Sequence, residues 1–253
     1  MYIPRTNSTN TLLRELIAAG NPPEFIYTGF QTAGRGQAGN GWESEEGKNL
    51  LCSILLPPRE PLFDQNVLIS VAVHKVVAQL LQQSGLTAKR SDIKWPNDIY
   101  WQNRKVAGIL VENAIVGNEV QYSIAGIGLN VNQTEFVSGA PNPVSMKQIS
   151  GEEYEIDAVM NVLLDEIHEV SAMPPEEVWD YYKAHLYRRE GFWPFVEREV
   201  SVVPTMNVQS DDVQCTKAFL ARIEDILPTG EILLEDQEGK QRKYHFKQIR
   251  YVL

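Results

Sequence analysis

A chain of 253 residues with 43% hydrophobic side chains is long enough for one large domain, or for a large and a small one, around a substantial core. Its formal net charge of −10 argues against nonspecific binding of nucleic acid, which needs a basic face. Two cysteines, Cys52 and Cys215, are too few for a disulfide framework and stand in no zinc spacing, so both read as small core thiols. The N-terminus shows no signal segment and no run approaches the ~18 apolar residues of a membrane helix, which makes a soluble cytoplasmic protein the expectation.

In chain order, residues 9–19 read as a short helix that Ser8 or Thr9 caps and Gly20 ends, with Leu12, Leu13, Leu16 and Ile17 at helical spacing. "EFIYTGF" reads as a strand that runs into the glycine-rich stretch "QTAGRGQAGNGW", residues 31–42. "NLLCSILLP" is a short apolar run closed by Pro57 and Pro58, hence a buried strand. Residues 66–84 follow helical periodicity, with Gly85 behind them. "DIKWPNDIYWQNRKVAGILVEN" reads as strand, turn, strand, with turn chemistry at 96–98 and again at Gln102 and Asn103. "VQYSIAGIGLNVN" is another apolar strand. Two acidic helices are expected at 156–171 and 175–189, separated by Pro174 and Pro175. Residues 151–190 carry eleven acidic and three basic side chains, most of the chain's negative charge, which suits two solvated helix faces. From residue 200 onward the character changes: "AFLARIEDIL", "EILLEDQ" and "RKYHFKQIRYV" are β-type runs split by turn residues, the pattern of a small all-β unit. The boundary falls between 190 and 199.

Three clusters carry candidate chemistry. The stretch 34–39 matches G-x-G-x-x-G, but no helix begins in the loop, as a dinucleotide site requires, so the Rossmann reading is rejected. The loop still offers backbone N–H groups that can wrap an anion, with Arg35 as a charge-assisted fork; a surface loop without ligand is the alternative. In the second cluster, residues 89–105 hold five basic and two acidic side chains inside an acidic protein, a spot that suits a small anion better than a polymer. Here Lys94 and Asp98 flank a Trp-Pro turn and can serve a nucleotide phosphate and its Mg²⁺; a plain polar hairpin is the alternative. In the third, "GIGLNVN", glycines inside an apolar strand mark a bulge or the close approach of a ligand, with Asn130 and Asn132 at the strand's end. The four histidines are scattered without ligand spacing, and neither a G-x-S-x-G nor a P-loop motif is present.

Taken together and in this order, "STN" at 8–10, "QTAGRGQAGNGW", "KWPND", "KVAGILVE" and "GIGLNVN" resemble the biotin protein ligases along roughly the first 135 residues. The C-terminal unit is similar to that family's small β domain. The resemblance implies an α+β chain: a mixed central β-sheet flanked by helices, of the class II aminoacyl-tRNA-synthetase type, over 1–195, and a small SH3-like β-barrel over 196–253. It implies the monofunctional type, without an N-terminal helix-turn-helix. The implied reaction converts biotin and MgATP to biotinyl-5′-adenylate and transfers biotin to a lysine of a biotin carboxyl carrier domain. No nucleic acid or membrane partner is expected, and the protein is a monomer or a homodimer.

The same resemblance assigns residues. Arg35, Lys94 and Lys105 become the catalytic cations. Biotin falls to Ser8, Thr9, Asn10, Gln31, Gly34, Arg35, Gly36, Trp42, Lys105 and Gly108. ATP and the adenylate fall to Arg35, Gln37, Trp42, Lys94, Asn97, Asp98, Lys105 and Asn130, with Asp98 the candidate Mg²⁺ ligand. Gln37 stands where the family often carries a further arginine, which bears on how tightly the adenylate is retained. The competing functions are a lipoate–protein ligase, which also makes an acyl-adenylate, and a non-enzymatic biotin or nucleotide sensor.

Overall fold

A computed structural model describes residues 1–87, 91–117, 119–138, 142–198 and 215–253, apart from the side chains of Ala38 and of 215–217. Lys89 and Arg90 of the basic spot, the Cys215 side chain, and residue 199 at the end of the expected 190–199 junction fall outside the described residues. The chain divides into two compact units, Met1–His185 and Leu186–Leu253.

The first unit is built on seven strands: β1 (Tyr2–Thr6), β2 (Phe25–Gln31), β3 (Leu50–Leu56), β4 (Ser91–Lys94), β5 (Asp98–Trp101), β6 (Arg104–Val116) and β7 (Glu119–Leu129). They form one sheet in the order β1-β2-β3-β7-β6-β5-β4, parallel only at β1/β2 and antiparallel elsewhere. The apolar run of β3 lies inside this sheet and is buried along nearly its whole length, as a strand covered on both faces must be.

The helices cover the two faces unequally. On one face lies the short α1 (Thr9–Ala18), whose Leu13 is fully buried against Ile26 of β2 and Ile124 of β7. On the other lie α2 (Phe63–Gln83) and α4 (Ile156–Ala172); the Tyr27 hydroxyl on that face of β2 donates to Asp157 of α4 at 3.0 Å. Helices α3 (Met146–Ser150) and α5 (Pro175–Ala184) complete the unit. Ten residues of helix thus leave much of the first face open, and the candidate site occupies that opening.

The second unit holds β8 (Trp193–Arg198), β9 (Cys215–Ile226), β10 (Ile232–Asp236), β11 (Gln241–Tyr244) and β12 (Ile249–Tyr251), an antiparallel sheet in the order β11-β10-β9-β8-β12. Its small core gathers Phe195, Ile223, Ile232, Leu234 and Tyr251. The architecture is α+β with a small all-β unit at the C-terminus.

Several expected elements shift. The 92–113 segment holds three strands, because both of its turns close. The second helix starts at Phe63 rather than 66, with Asp64 placing a negative charge at the N-terminal end of its dipole. The helix expected at 175–189 stops at Ala184; Arg188 takes a left-handed backbone, φ 57°, which no helix accommodates. Three short elements carry too little periodicity to read from sequence: β1, α3 and β8. In α3 the reciprocal Ser145/Gln148 capping box and left-handed Gly151 define the ends.

Candidate active site

Alternation along β6 and β7 puts Gly108, Leu110 and Glu112 on the α1 face, opposite Gly128, Gly126 and Ile124. The glycines make this face flat. A Cβ on Gly128 would lie 2.3 Å from Cε2 of Trp42, and one on Gly108 2.7 Å from its Cζ3, so the indole rests directly on the Gly108–Gly128 pair. A Cβ on Gly126 would meet Oδ1 of Asn10 at 2.3 Å. The interior glycines of "GIGLNVN" therefore mark close approach and not a bulge, and here the approaching groups are the protein's own Trp42 and Asn10.

Trp42 reaches the sheet because the glycine-rich stretch folds back as a narrow hairpin. Trp42 N donates to Gly34 O at 3.0 Å and Gly36 N to Asn40 O at 2.7 Å, with a one-turn 3₁₀ helix, Gln37–Gly39, at the tip. Gly34 is required for this closeness, since a Cβ there would stand 2.7 Å from the Trp42 carbonyl oxygen. Two polar atoms in the hairpin are buried without a hydrogen-bond partner among the described residues, Nε1 of Trp42 and Oε1 of Gln37.

The start of α1 supplies buried polar groups. Ser8 occupies the N-cap position, yet its hydroxyl makes no capping hydrogen bond. The Thr9 backbone N–H and hydroxyl both donate to Oε1 of Gln31, at 2.8 and 3.2 Å, which ties the helix to the end of β2. The Asn10 amide donates to Glu112 at 2.7 Å while its oxygen accepts from Ser53 at 2.5 Å.

Charge is placed at both ends of the same stretch of β6. Arg35 forks onto Glu112, Nη1 to Oε1 and Nη2 to Oε2, both at 3.1 Å, and Arg14 adds a further contact at 3.0 Å. Lys105 pairs with Asp98 at 2.6 Å, and its Nζ lies 5.4 Å from the centre of the Trp42 ring. Lys94 donates to the Tyr100 hydroxyl at 3.2 Å. Asn97 and Asn130 are buried, and their amide nitrogens hold the β6 backbone, Asn97 at Ile109 O (2.6 Å) and Asn130 at Lys105 O (3.4 Å).

The structure thus gathers Ser8, Thr9, Asn10, Gln31, Gly34, Arg35, Gly36, Trp42, Lys105, Gly108 and Asp98 around one sheet face, over which the Trp42 indole lies. Asn97 and Asn130 brace the strand that carries Lys105. Gln37 sits at the hairpin tip, and Lys94 at the turn before Asp98. Sequence reasoning gave no role to Glu112, Arg14 or Ser53. Glu112 was recoverable in principle: it lies four residues beyond Gly108, hence on the same face of an extended strand.

Behind Lys94 lies a buried ionisable group. His74 on α2 donates from Nε2 to the Ser91 carbonyl at 3.0 Å, and its Nδ1 accepts from the Tyr181 hydroxyl at 3.0 Å. Burial holds this imidazole neutral, its pKa lowered to about 4. Next to Ser91, burial raises the Asp92 carboxyl to about 6, against the pull of His185.

The family model of the biotin/lipoate A/B protein ligases matches residues 2–130. The bifunctional ligase/repressor BirA of Bacillus subtilis (strain 168) is 35% identical over 249 residues, an alignment spanning 96% of this chain and 71% of that protein. The biotin--[acetyl-CoA-carboxylase] ligase of Paracoccus denitrificans is 31% identical over 165 residues, 64% of this chain and 68% of that one. Among solved structures, the biotin protein ligase of Aquifex aeolicus in complex with biotin and ATP superposes with a TM-score of 0.74 at 21% identity, covering 100% of this chain and 98% of that one. At that identity the likeness speaks for the fold.

Proposed function

The chain belongs to the biotin/lipoate A/B protein ligase family, and from that premise we propose that it activates biotin with ATP as biotinyl-5′-AMP and transfers it to a lysine of a biotin carboxyl carrier domain. The observation that carries this reading is the flat Gly108–Gly128 surface with an Arg35–Glu112 pair at one end and a Lys105–Asp98 pair at the other.

The chemistry joins two anions. A biotin carboxylate oxygen attacks the α-phosphorus of ATP, a P–O bond forms, and the bond to the β-phosphate breaks to release pyrophosphate. The amine of the carrier lysine then attacks the acyl carbon, AMP departs and the amine loses a proton. The first step needs positioning and charge neutralisation more than covalent help from the protein. Lys105 sits beside the glycine surface where the carboxylate and α-phosphate would meet, and Arg35 approaches from the loop. Lys94 stands one turn before Asp98, in place for the outer phosphates.

Biotin's ureido head would lie toward Ser8, Thr9 and Gln31, whose polar groups discriminate against a ligand that leaves them unpaired. Trp42 covers the surface the ligand would take, so the hairpin must open to admit it and can then close to exclude water. The donor set fits a substrate-borne Mg²⁺: Asp98 offers one carboxylate, and a metal held by one carboxylate and phosphate oxygens is the usual Mg²⁺ arrangement. When bound, the ion would offset triphosphate charge. Residues 1–195 carry these steps in this reading, and 196–253 serve the carrier or the stability of the ligase.

The test mixes protein, MgATP, either biotin or lipoate, and an apo carrier domain, followed by intact mass of the carrier and pyrophosphate release. A carrier heavier by one biotinyl group, with biotin only, is the expected result. Lipoylation, or nucleotide binding without pyrophosphate release, would replace the reading.

A further inference from the structure

Glu112 supplies nothing to the reaction as written, yet the polar contacts of the site converge on it. Its carboxylate receives both Nη atoms of Arg35 at 3.1 Å, Nη2 of Arg14 at 3.0 Å and the Asn10 amide at 2.7 Å. The guanidinium edge that Glu112 occupies cannot hold a second carboxylate or phosphate in the same two-point fork. Resting on the function proposed above, we infer that Glu112 is a positioning residue that acts through Arg35. In the ligand-free protein it holds the edge that the adenylate takes, and so it sets how readily the glycine hairpin accepts ligand.

Two features make this an exchange and not a fixed brace. First, Glu112 keeps Arg14 and Asn10 when Arg35 departs, so release leaves no part-buried carboxylate unpaired, which would be costly. Second, Arg35 is the sole basic residue between positions 31 and 47 and is flanked by Gly34 and Gly36, so the hairpin can redirect it without moving the core. The Arg35–Glu112 contact is also what joins the hairpin's cation to β6. Removing it leaves Arg35 with its 3.3 Å bond to the Thr11 hydroxyl, so the loop is loosened, and at the same time it removes a competitor for Arg35. A contact present only in the ligand-free state lowers apparent affinity by the stability that it gives that state.

The experiment compares wild type, Glu112→Gln, Arg35→Gln and the double variant. Amide hydrogen exchange across 32–42 is measured without any substrate, and the KM for biotin is taken from pyrophosphate release. Glu112→Gln is expected to speed exchange roughly two- to fivefold, the range of a part-exposed ion pair. Its KM for biotin should fall by a similar factor, with little change in kcat. In the Arg35→Gln background the Glu112 substitution should change neither quantity further. If Glu112→Gln fails to fold, Glu112→Asp, which keeps the charge at shorter reach, carries the same comparison. A higher KM, or an exchange effect that persists without Arg35, would overturn the inference, since Glu112 would then act through Asn10 or Arg14. Because the exchange measurement needs no substrate, a wild-type protein that forms no biotinyl-5′-AMP would refute the proposed function and leave the exchange result standing.

Discussion

Gly128→Ala adds one methyl group at the place where the sheet is closest to the loop. The backbone there is an ordinary strand, so the substitution acts through what its Cβ meets: Cε2, Cζ2 and Nε1 of Trp42 at 2.3, 2.6 and 2.7 Å. Non-bonded carbon atoms settle near 3.5–4.0 Å, so the indole must retreat by about 1 Å or more. Overpacking of this kind typically costs about 1–3 kcal/mol in a rigid core. Trp42 belongs to a hairpin held by a few backbone hydrogen bonds, so the low end, about 1 kcal/mol, is expected, or a Tm shift of roughly 2–4 °C for a chain of this size. The ligand has no such freedom, because the sheet fixes the surface it lies on. Biotin affinity should therefore fall roughly 10- to 100-fold while the fold persists, at ~1.4 kcal/mol per factor of ten. Calorimetric titration with biotin and a thermal melt of the same samples measure both terms. A Gly128→Ala protein with wild-type biotin affinity would show that the glycine surface is not the ligand's seat.

Lys105→Ala should lower biotin-dependent pyrophosphate release by on the order of 10²–10³ with little loss of Tm, because its partner Asp98 is part-exposed and remains solvated; near-normal release would remove Lys105 from the chemistry. Gln37→Arg should slow the loss of biotinyl-5′-AMP in the absence of carrier, since a charge-assisted contact is roughly twice as strong as a neutral one, and equal off-rates would show that position 37 does not control retention. Asp92 carries a folded-state pKa raised to about 6 by burial, so its neutral form favours the fold at low pH and that contribution is lost as pH rises through about 6. Asp92→Asn is therefore expected to stabilise the protein at pH 8 by about 1 kcal/mol after solvent screening, and by nothing near pH 3.5. His74, lowered to about 4, acts in the opposite sense: its stability is present above pH 6.5 and drains away as pH falls toward 4. Denaturant melts of wild type, Asp92→Asn and His74→Gln between pH 3.5 and 8 check both signs.

The local code of this protein is strong where a short segment decides its own conformation. The apolar run of β3, the proline start of α5, the turn residues around Pro96 and the alternating runs of the C-terminal unit each bias the backbone within a few residues, so element types were legible. The ordered motifs named the family and most of the groups that converge on the site. Sequence could not decide what those groups do to one another without ligand. That Trp42 lies on Gly108 and Gly128, that Arg35 is already engaged by Glu112, and that Asn97 and Asn130 brace β6 are contacts between residues far apart in the chain. Only the pairing of β6 with β7 in one register puts Gly108, Gly128 and Glu112 on a common face, and a one-residue slip of β6 would turn Gly108 and Glu112 away from the face that Gly128 keeps. The same holds for β1, whose few residues become a strand because β2 offers an edge to pair with. Residue types and their order fixed the chemistry available to the chain; the sheet register decided which charges are spent on each other until a ligand arrives.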